Sequence, residues 1–129
     1  MKLCLFETSD APGDQRLGAV VDGGVAELTA ALGDAAALPP QARMEAVIDG
    51  FEGLRGAFER IITGGASHGD GSFRLRAPLP RPSKILCCIG NYWEHAEREP
   101  RPLNMFLKST DAFIGPGDTI VLPSTTDPW

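Results

Sequence analysis

An unbroken apolar run from Ile85 to Ile89 constrains the fold of this chain more than any other feature. The run has the length of a strand and is bounded by Pro82 and Gly90, two residue types that end regular elements. An apolar run without alternation is typical of a strand that is buried on both faces. We therefore predict a buried strand here, followed by a sharp turn at Gly90.

A short helix is predicted directly after that turn. Asn91 and, three residues later, Glu94 have the spacing of a capping box, with Asn91 as the N-cap. The helix should stop near Glu99, because the residue before Pro100 is disfavoured in helical conformation. His95 then lies at the start of a helix that follows a buried strand. That position suits a general acid or base, because the strand end fixes the side chain and the turn leaves it open to a ligand.

Two glutamates lie close to His95 in the sequence. Glu99 is four positions further on and shares its helical face, whereas Glu97 is two positions away and faces elsewhere. A carboxylate beside an imidazole orients the ring and raises its pKa into a useful range. The alternative is a solvated face on which Glu97 and Arg98 are exposed and His95 only hydrogen-bonds locally.

About 40 residues around this region carry three motifs in order: G-N-Y-x-x-H-A, F-x-K and I-G-P-G-D-x-I-x-L-P. They resemble the opening of the catalytic domain in the fumarylacetoacetate hydrolase family. The first motif is one residue shorter between glycine and asparagine than the commonest family form. The N-terminal segments MKLCLFETSD and RLGAVVDGGVAELT are similar, less specifically, to the family's small leading domain. The matching positions are Gly90, Asn91, Tyr92, His95, Ala96, Phe106, Lys108, Ile114 to Asp118, and Pro123.

The resemblance implies an α+β, strand-rich fold. Residues 1–78 would form a small N-terminal β-meander with helices, and residues 79–129 would form the opening strands of a mixed β-roll catalytic domain. The boundary falls at the proline-rich segment PLPRP, which has the composition of a stiff linker.

The resemblance also implies a metal-dependent enzyme that cleaves a carbon-carbon bond of an acylpyruvate or related oxo-acid. In the family a histidine paired with a glutamate activates a water, and His95 matches that histidine. Arg98 stands where many members have the glutamate, so Glu97 and Glu99, which flank it, are the candidates. Tyr92 and Lys108 match positions near the substrate, where a lysine would neutralise a carboxylate. The alternative for Lys108 is a surface lysine at a strand end.

The implied metal is Mg²⁺ or Mn²⁺, held in the family by a Glu-x-Glu pair and a later aspartate. Those ligands lie beyond the segment that ends in Pro123, and this chain has no glutamate after Glu99. Asp118 lies in the turn-rich IGPGD segment, where a structural turn is favoured over metal ligation. We therefore expect the sequence to be the first part of a longer enzyme, with its metal ligands outside this chain.

Charge and hydropathy exclude two classes of partner. The chain has 12 Lys and Arg against 17 Asp and Glu, a net charge of −5, with no basic stripe for nucleic acid. No apolar run approaches the length of a membrane helix, so we expect a cytoplasmic protein. The spacing of the cysteines fits no zinc site and favours buried, reduced thiols at Cys4, Cys87 and Cys88.

The N-terminal part reads as a meander followed by helices. Strands are predicted at Lys2–Glu7, Leu17–Val21 and Val25–Leu28, with a helical turn from Thr29 that ends at Gly33. Between Gln41 and Ile62 apolar residues recur every three or four positions, which predicts a helix broken near Gly50. The apolar stripe is predicted to pack into the core: Val47, Phe51, Leu54, Phe58 and Ile61. His68 lies in the polar segment ASHGDGS and is predicted to be a loop residue without a partner.

Three hypotheses follow. The first is a hydrolase of an acylpyruvate-type substrate, whose remaining carboxylates come from further chain or from a second polypeptide. The second keeps the family but changes the reaction to dehydration or isomerisation of an oxo-acid, which Arg98 in the usual glutamate position favours. The third is a noncatalytic fragment or interaction module, which predicts no stabilisation by divalent metal. The family resemblance suggests a homodimer.

Overall fold

The computed structural model describes residues 1–89, 104–122 and 124, which form two β-sheets and a layer of helices. The strands are β1 Leu3–Thr8, β2 Arg16–Val21, β3 Gly24–Glu27, β4 His68–Gly69, β5 Phe73–Arg76, β6 Ile85–Cys88 and β7 Met105–Lys108. The larger sheet has five antiparallel strands in the order β4-β3-β2-β1-β5, and the smaller sheet pairs β6 with β7. The chain is thus α+β and strand-rich, as the resemblance implied.

The first three strands form the predicted meander. The hairpin between β2 and β3 has a two-residue turn in which Val21 pairs with Gly24. Gly23 occupies the turn with φ +76°, a left-handed conformation that favours glycine. β1 lies inside the sheet, because Leu5 pairs with Leu17 of β2 on one side and with Arg76 of β5 on the other.

Both faces of this sheet are buried. One face packs Leu5, Leu17 and Ala19 against the helices, and all three side chains are fully buried. The opposite face buries Cys4, Phe6 and Val25. Alternation along each strand produces this division, because successive side chains of a strand point to opposite faces.

The helical layer begins with a 3₁₀ helix, Thr29–Ala37, that kinks at Gly33, where φ is +55°. Two α-helices follow, α1 Pro40–Asp49 and α2 Phe51–Thr63, so the predicted break at Gly50 is confirmed. The apolar stripe of these helices packs on the sheet as predicted, with Val47 and Phe58 fully buried. Burying a side chain of this size contributes about 1.5–3 kcal/mol.

His68 corrects a prediction. It is not a loop residue without a partner, because it forms β4 and pairs with Val25 of β3. Its Nε2 lies 3.0 Å from Oε2 of Glu27, and its ring centroid is 5.1 Å from that of Phe6. These contacts join residues about 40 and 60 positions apart, so local sequence could not reveal them.

β6 corrects a second prediction. The apolar run forms a strand, but one that is not buried on both faces: Leu86 is 59% exposed and Cys88 is exposed. Of the three cysteines, all with free thiols, only Cys4 is buried, so the predicted burial of Cys87 and Cys88 was wrong. β7 is exposed along its whole length, with Leu107 at 65%. We call this pair of strands the β6–β7 ribbon.

Candidate functional site

The predicted catalytic residues belong to the connection between the two strands of the ribbon. His95, Glu97, Glu99 and Tyr92 fall within residues 90–103, outside the described residues. The two ends of this connection are held together, because Ile89 N donates to Asn104 O over 2.9 Å and Cys88 pairs with Met105.

Lys108 is the last residue of β7, where it pairs with Ile85 of β6. Its side chain is exposed, and Nζ lies 5.8 Å from the centroid of the Phe106 ring on the same face of the strand. A cation over a ring at an exposed site is worth about 0.5–1 kcal/mol. Among the described residues no carboxylate forms a salt bridge with Lys108, so its charge is compatible with binding an anionic substrate group.

The segment after Lys108 forms a 3₁₀ helix and then a turn within the IGPGD motif. Ser109 caps a second 3₁₀ helix, Thr110–Ala112, by accepting a hydrogen bond from Asp111 N through its hydroxyl oxygen. Asp118 then closes the IGPGD turn: its Oδ2 accepts from Gly115 N over 2.7 Å, and its own N donates to Gly115 O. The predicted structural turn role of Asp118 is confirmed.

Asp118 has a second set of contacts that the sequence did not predict. Its Oδ1 accepts from Arg74 Nη2 at 2.6 Å and from Arg76 Nη1 at 3.3 Å, and Arg74 also donates to Gly117 O. The Gly115 N–H, followed by the guanidinium groups of Arg76 and Arg74, holds the pKa of Asp118 below its ordinary value. We call Arg74, Arg76 and Asp118 the clasp. Arginines two positions apart on β5 share one face, which is the sequence signal that could have identified them.

The described residues contain no group of three or more His, Cys, Asp or Glu side chains that could hold a metal ion. Asp118, the aspartate in the family motif, is engaged by two arginines and a backbone N–H. A hard divalent cation needs several oxygen ligands, so this part of the chain does not fit one. No helix in the described residues is long and apolar enough to cross a membrane.

Comparison with known proteins finds similar oxaloacetate tautomerases and a similar maleylpyruvate hydrolase. No protein-family model matches the chain. The mitochondrial oxaloacetate tautomerases Fahd2a of Rattus norvegicus and FAHD2A of Bos taurus are each 37% identical over 51 residues, which are 36% of this chain and 16% of the relative. The sequence match is therefore local.

The structural match is extensive. Maleylpyruvate hydrolase from Sphingobium sp. SYK-6, solved with manganese(II) and pyruvate, has a TM-score of 0.75 and 35% identity over 97% of this chain. A second structure of that enzyme has a TM-score of 0.76 and 36% identity over 98%. The chain spans 43% and 44% of the enzyme's chain in these two structures, less than half of its length. Sequence and fold together confirm the resemblance to the fumarylacetoacetate hydrolase family.

Proposed function

We propose that this chain is part of a metal-dependent hydrolase that cleaves a carbon-carbon bond of an acylpyruvate or a related diketo acid. The observation that carries the proposal is the match, over 97% of the chain, to a maleylpyruvate hydrolase solved with manganese(II) and pyruvate. Pyruvate is the product that an acylpyruvate hydrolase releases. The match to the tautomerases covers only 36% of the chain, so it supports the family more than a reaction.

In this proposal His95 takes a proton from a water whose oxygen attacks the acyl carbonyl carbon of the substrate. Glu99 or Glu97 orients the imidazole and stabilises it once it is protonated. The bond between that carbonyl carbon and the pyruvyl methylene carbon then breaks, and its electron pair stays on the methylene carbon. Protonation of that carbon completes pyruvate, and the acyl group leaves as a carboxylic acid.

Lys108 and Tyr92 are proposed to bind the substrate. A carboxylate is the group common to pyruvate and all acylpyruvates, and an ammonium group neutralises it. The exposed position of Lys108 at the end of β7 supports this role, as does the lack of a carboxylate salt bridge to it among the described residues. Tyr92 is assigned by its place in the family motif.

The proposal includes Mg²⁺ or Mn²⁺, which would polarise the substrate carbonyl when bound. The structure of the similar maleylpyruvate hydrolase with manganese(II) supports a divalent ion in the family. The described residues supply no ligand set for it, so we assign the metal no ligand among them. Ligands from outside this chain remain part of the proposal.

Isomerisation is the second candidate, and the tautomerase relatives favour it. A tautomerase moves a proton between carbon and oxygen and releases no fragment, so product analysis separates the two reactions. A dehydratase would release water and retain the carbon skeleton. A noncatalytic interaction module would form no product at all.

The test is incubation of an acylpyruvate with this chain, joined to the further chain or second polypeptide that completes the catalytic domain, and Mn²⁺ or Mg²⁺. EDTA provides the metal-free control. Release of pyruvate, measured by a coupled reduction to lactate, supports hydrolysis. Loss of activity in His95→Ala and a raised KM in Lys108→Ala would support the assigned roles. Lys84→Ala is the matched control, because Lys84 is an exposed lysine directly before β6 in the same ribbon. Faster interconversion of the keto and enol forms of oxaloacetate, without release of pyruvate, would favour the tautomerase.

The remaining proposals concern organisation. We propose a division into residues 1–78 and 79–129, and a homodimer or a second chain that completes the catalytic domain. We place the protein in the cytoplasm, since three unpaired thiols fit a reducing compartment. The rat and bovine relatives are named as mitochondrial, so the organelle is tested by fractionation.

A further inference from the structure

The clasp joins two parts of the molecule that share few other polar contacts. Arg74 and Arg76 belong to β5, an edge strand of the five-stranded sheet, whereas Asp118 follows the β6–β7 ribbon. In the described part of the chain, every side-chain hydrogen bond between residues 1–79 and 104–122 is made by the two arginines of the clasp. The turn that ends at Asp118 is therefore held to the larger sheet through these side chains.

Arg76 also contacts a carboxylate of the larger sheet. Arg76 Nη1 lies 3.8 Å from Oε1 of Glu7 on the neighbouring strand β1, and Glu7 Oε2 accepts from Gly13 N. Charges thus alternate from Glu7 through Arg76 to Asp118 and Arg74. A network with alternating signs is worth more than an isolated surface pair, and here Arg76 and Asp118 each have two partners of opposite charge.

Backbone packing supports the same contact. A Cβ added to Gly115 would lie 2.8 Å from Ala77 N and 3.2 Å from the carbonyl carbon of Arg76. Only glycine permits so close an approach of the turn to the end of β5. Gly117 has φ +73°, which also favours glycine. Docking of this turn thus explains Gly115, and the left-handed conformation of the turn explains Gly117.

The docked turn lies shortly after the end of β7. Seven positions separate Lys108 from Gly115, and three of the intervening residues form the 3₁₀ helix Thr110–Ala112. The ribbon itself is exposed at Leu86 and Leu107, so the described packing restrains it weakly. A fixed point shortly after Lys108 limits the positions available to its ammonium group.

We propose that Arg74 and Arg76 are positioning residues for Lys108, acting through Asp118 and the IGPGD turn. The sheet of the N-terminal part then orders the substrate-binding end of the ribbon across the predicted domain boundary. The benefit to a substrate carboxylate rests on the proposed function of Lys108, whereas the ordering of β7 does not.

Backbone hydrogen exchange in the ¹⁵N-labelled chain tests the ordering. Asp118→Asn retains an oxygen for the Gly115 N–H but removes the charge that both arginines contact. We expect exchange in β6 and β7, including Lys108, to rise about 10-fold, with exchange in β1 to β3 unchanged within about twofold. Asp14→Asn is the control, because it removes an exposed ion pair to Arg16 at 2.9 Å in the same sheet, away from the clasp.

Conservative variants separate positioning from general stability. Each arginine reaches the Asp118 carboxylate through a single nitrogen, so Arg74→Lys and Arg76→Lys should largely restore the protection that Arg74→Ala and Arg76→Ala lose. The proposal is overturned if Asp118→Asn leaves exchange at Lys108 unchanged. It is equally overturned if exchange in β1 to β3 rises with it, since the clasp would then only stabilise the whole fold.

Pyruvate serves as the probe for the functional consequence. We expect its dissociation constant, measured from Lys108 and Leu107 amide shifts, to rise about fivefold in Asp118→Asn and at least as much in Lys108→Ala. If the wild-type chain binds no pyruvate, the substrate role of Lys108 fails while the exchange experiment still decides the positioning proposal. If pyruvate binds equally to wild type and Asp118→Asn, the clasp does not position Lys108 for substrate.

Discussion

The five-stranded sheet and the β6–β7 ribbon are built from similar apolar strands but differ in what covers them. Leu5 in β1 is 0% exposed, whereas Leu107 in β7 is 65% exposed. The larger sheet has helices on one face and a second apolar cluster on the other. The difference shows that an apolar pattern predicts a strand, whereas burial depends on which other elements pack against it.

The two regions also differ in how they are held. The larger sheet is stabilised by a cluster of buried apolar side chains that includes Leu5, Leu17 and Phe58. The segment after the ribbon contacts that sheet through the clasp, which is made of charged groups. Substitutions in the first region should therefore affect global stability, and those in the second should act locally.

The largest difference is expected for truncation of a buried and an exposed side chain. Phe58→Ala should lower the free energy of unfolding by about 3–5 kcal/mol, because it removes a fully buried ring and leaves a cavity. Leu107→Ala should change it by less than about 0.5 kcal/mol. Urea unfolding followed by circular dichroism measures both.

Phe58→Leu keeps the measurement possible if Phe58→Ala does not fold, with an expected loss of about 1–1.5 kcal/mol. Equal losses for Phe58→Ala and Leu107→Ala would contradict the comparison, since they would mean that the ribbon is as well packed as the larger sheet.

Thiol reactivity gives the next contrast. Burial raises the pKa of the Cys4 thiol to about 11, so at pH 8 only about one molecule in a thousand carries the reactive thiolate there. Cys88 is exposed on the ribbon. We expect a maleimide to label Cys88 at least about 100-fold faster than Cys4, and to label both at similar rates in denaturant. Rapid labelling of Cys4 in the folded chain would contradict its place in the core.

Local signals predicted the N-terminal part well. The three meander strands and the helix break at Gly50 depend on residues close in sequence. The role of the helix stripe also followed from its spacing, because a single apolar face requires a partner surface. His68 was missed because its partners, Glu27 and Phe6, are distant in sequence.

The candidate site was predicted less completely. Asp118 was correctly interpreted as a turn residue, but its contacts with Arg74 and Arg76 span more than 40 positions and no local pattern encodes them. The predicted burial of β6 on both faces was wrong for the same reason, since burial is a property of the assembled fold. The assignments of His95, Tyr92, Glu97 and Glu99 come from the family motif and stay predictions.

A smaller effect is expected where the two regions meet. Gly115→Ala would place a methyl group 2.8 Å from Ala77 N, so the turn must move away from β5. We expect a loss of about 1–2 kcal/mol and weaker exchange protection in the ribbon. Gly53→Ala is the control, because a Cβ there meets nothing within 4 Å and alanine favours the helix. A neutral or stabilising Gly115→Ala would show that the turn is not docked.

The smallest effect is expected from pH, and it isolates the charge of the clasp. The Gly115 N–H, with Arg76 and Arg74, lowers the pKa of Asp118, so the folded state favours the carboxylate more than the unfolded state does. The stabilisation is therefore fully present above the ordinary aspartate pKa of about 3.9 and is lost as pH falls through the lowered value.

Urea unfolding from pH 7 to pH 3 should show wild type more stable than Asp118→Asn at neutral pH, with the difference shrinking below about pH 4. Asp111→Asn, an exposed carboxylate outside the clasp, is the matched control. A difference between wild type and Asp118→Asn that stays constant across this range would mean that the carboxylate charge contributes nothing, and that the turn is held by backbone packing alone.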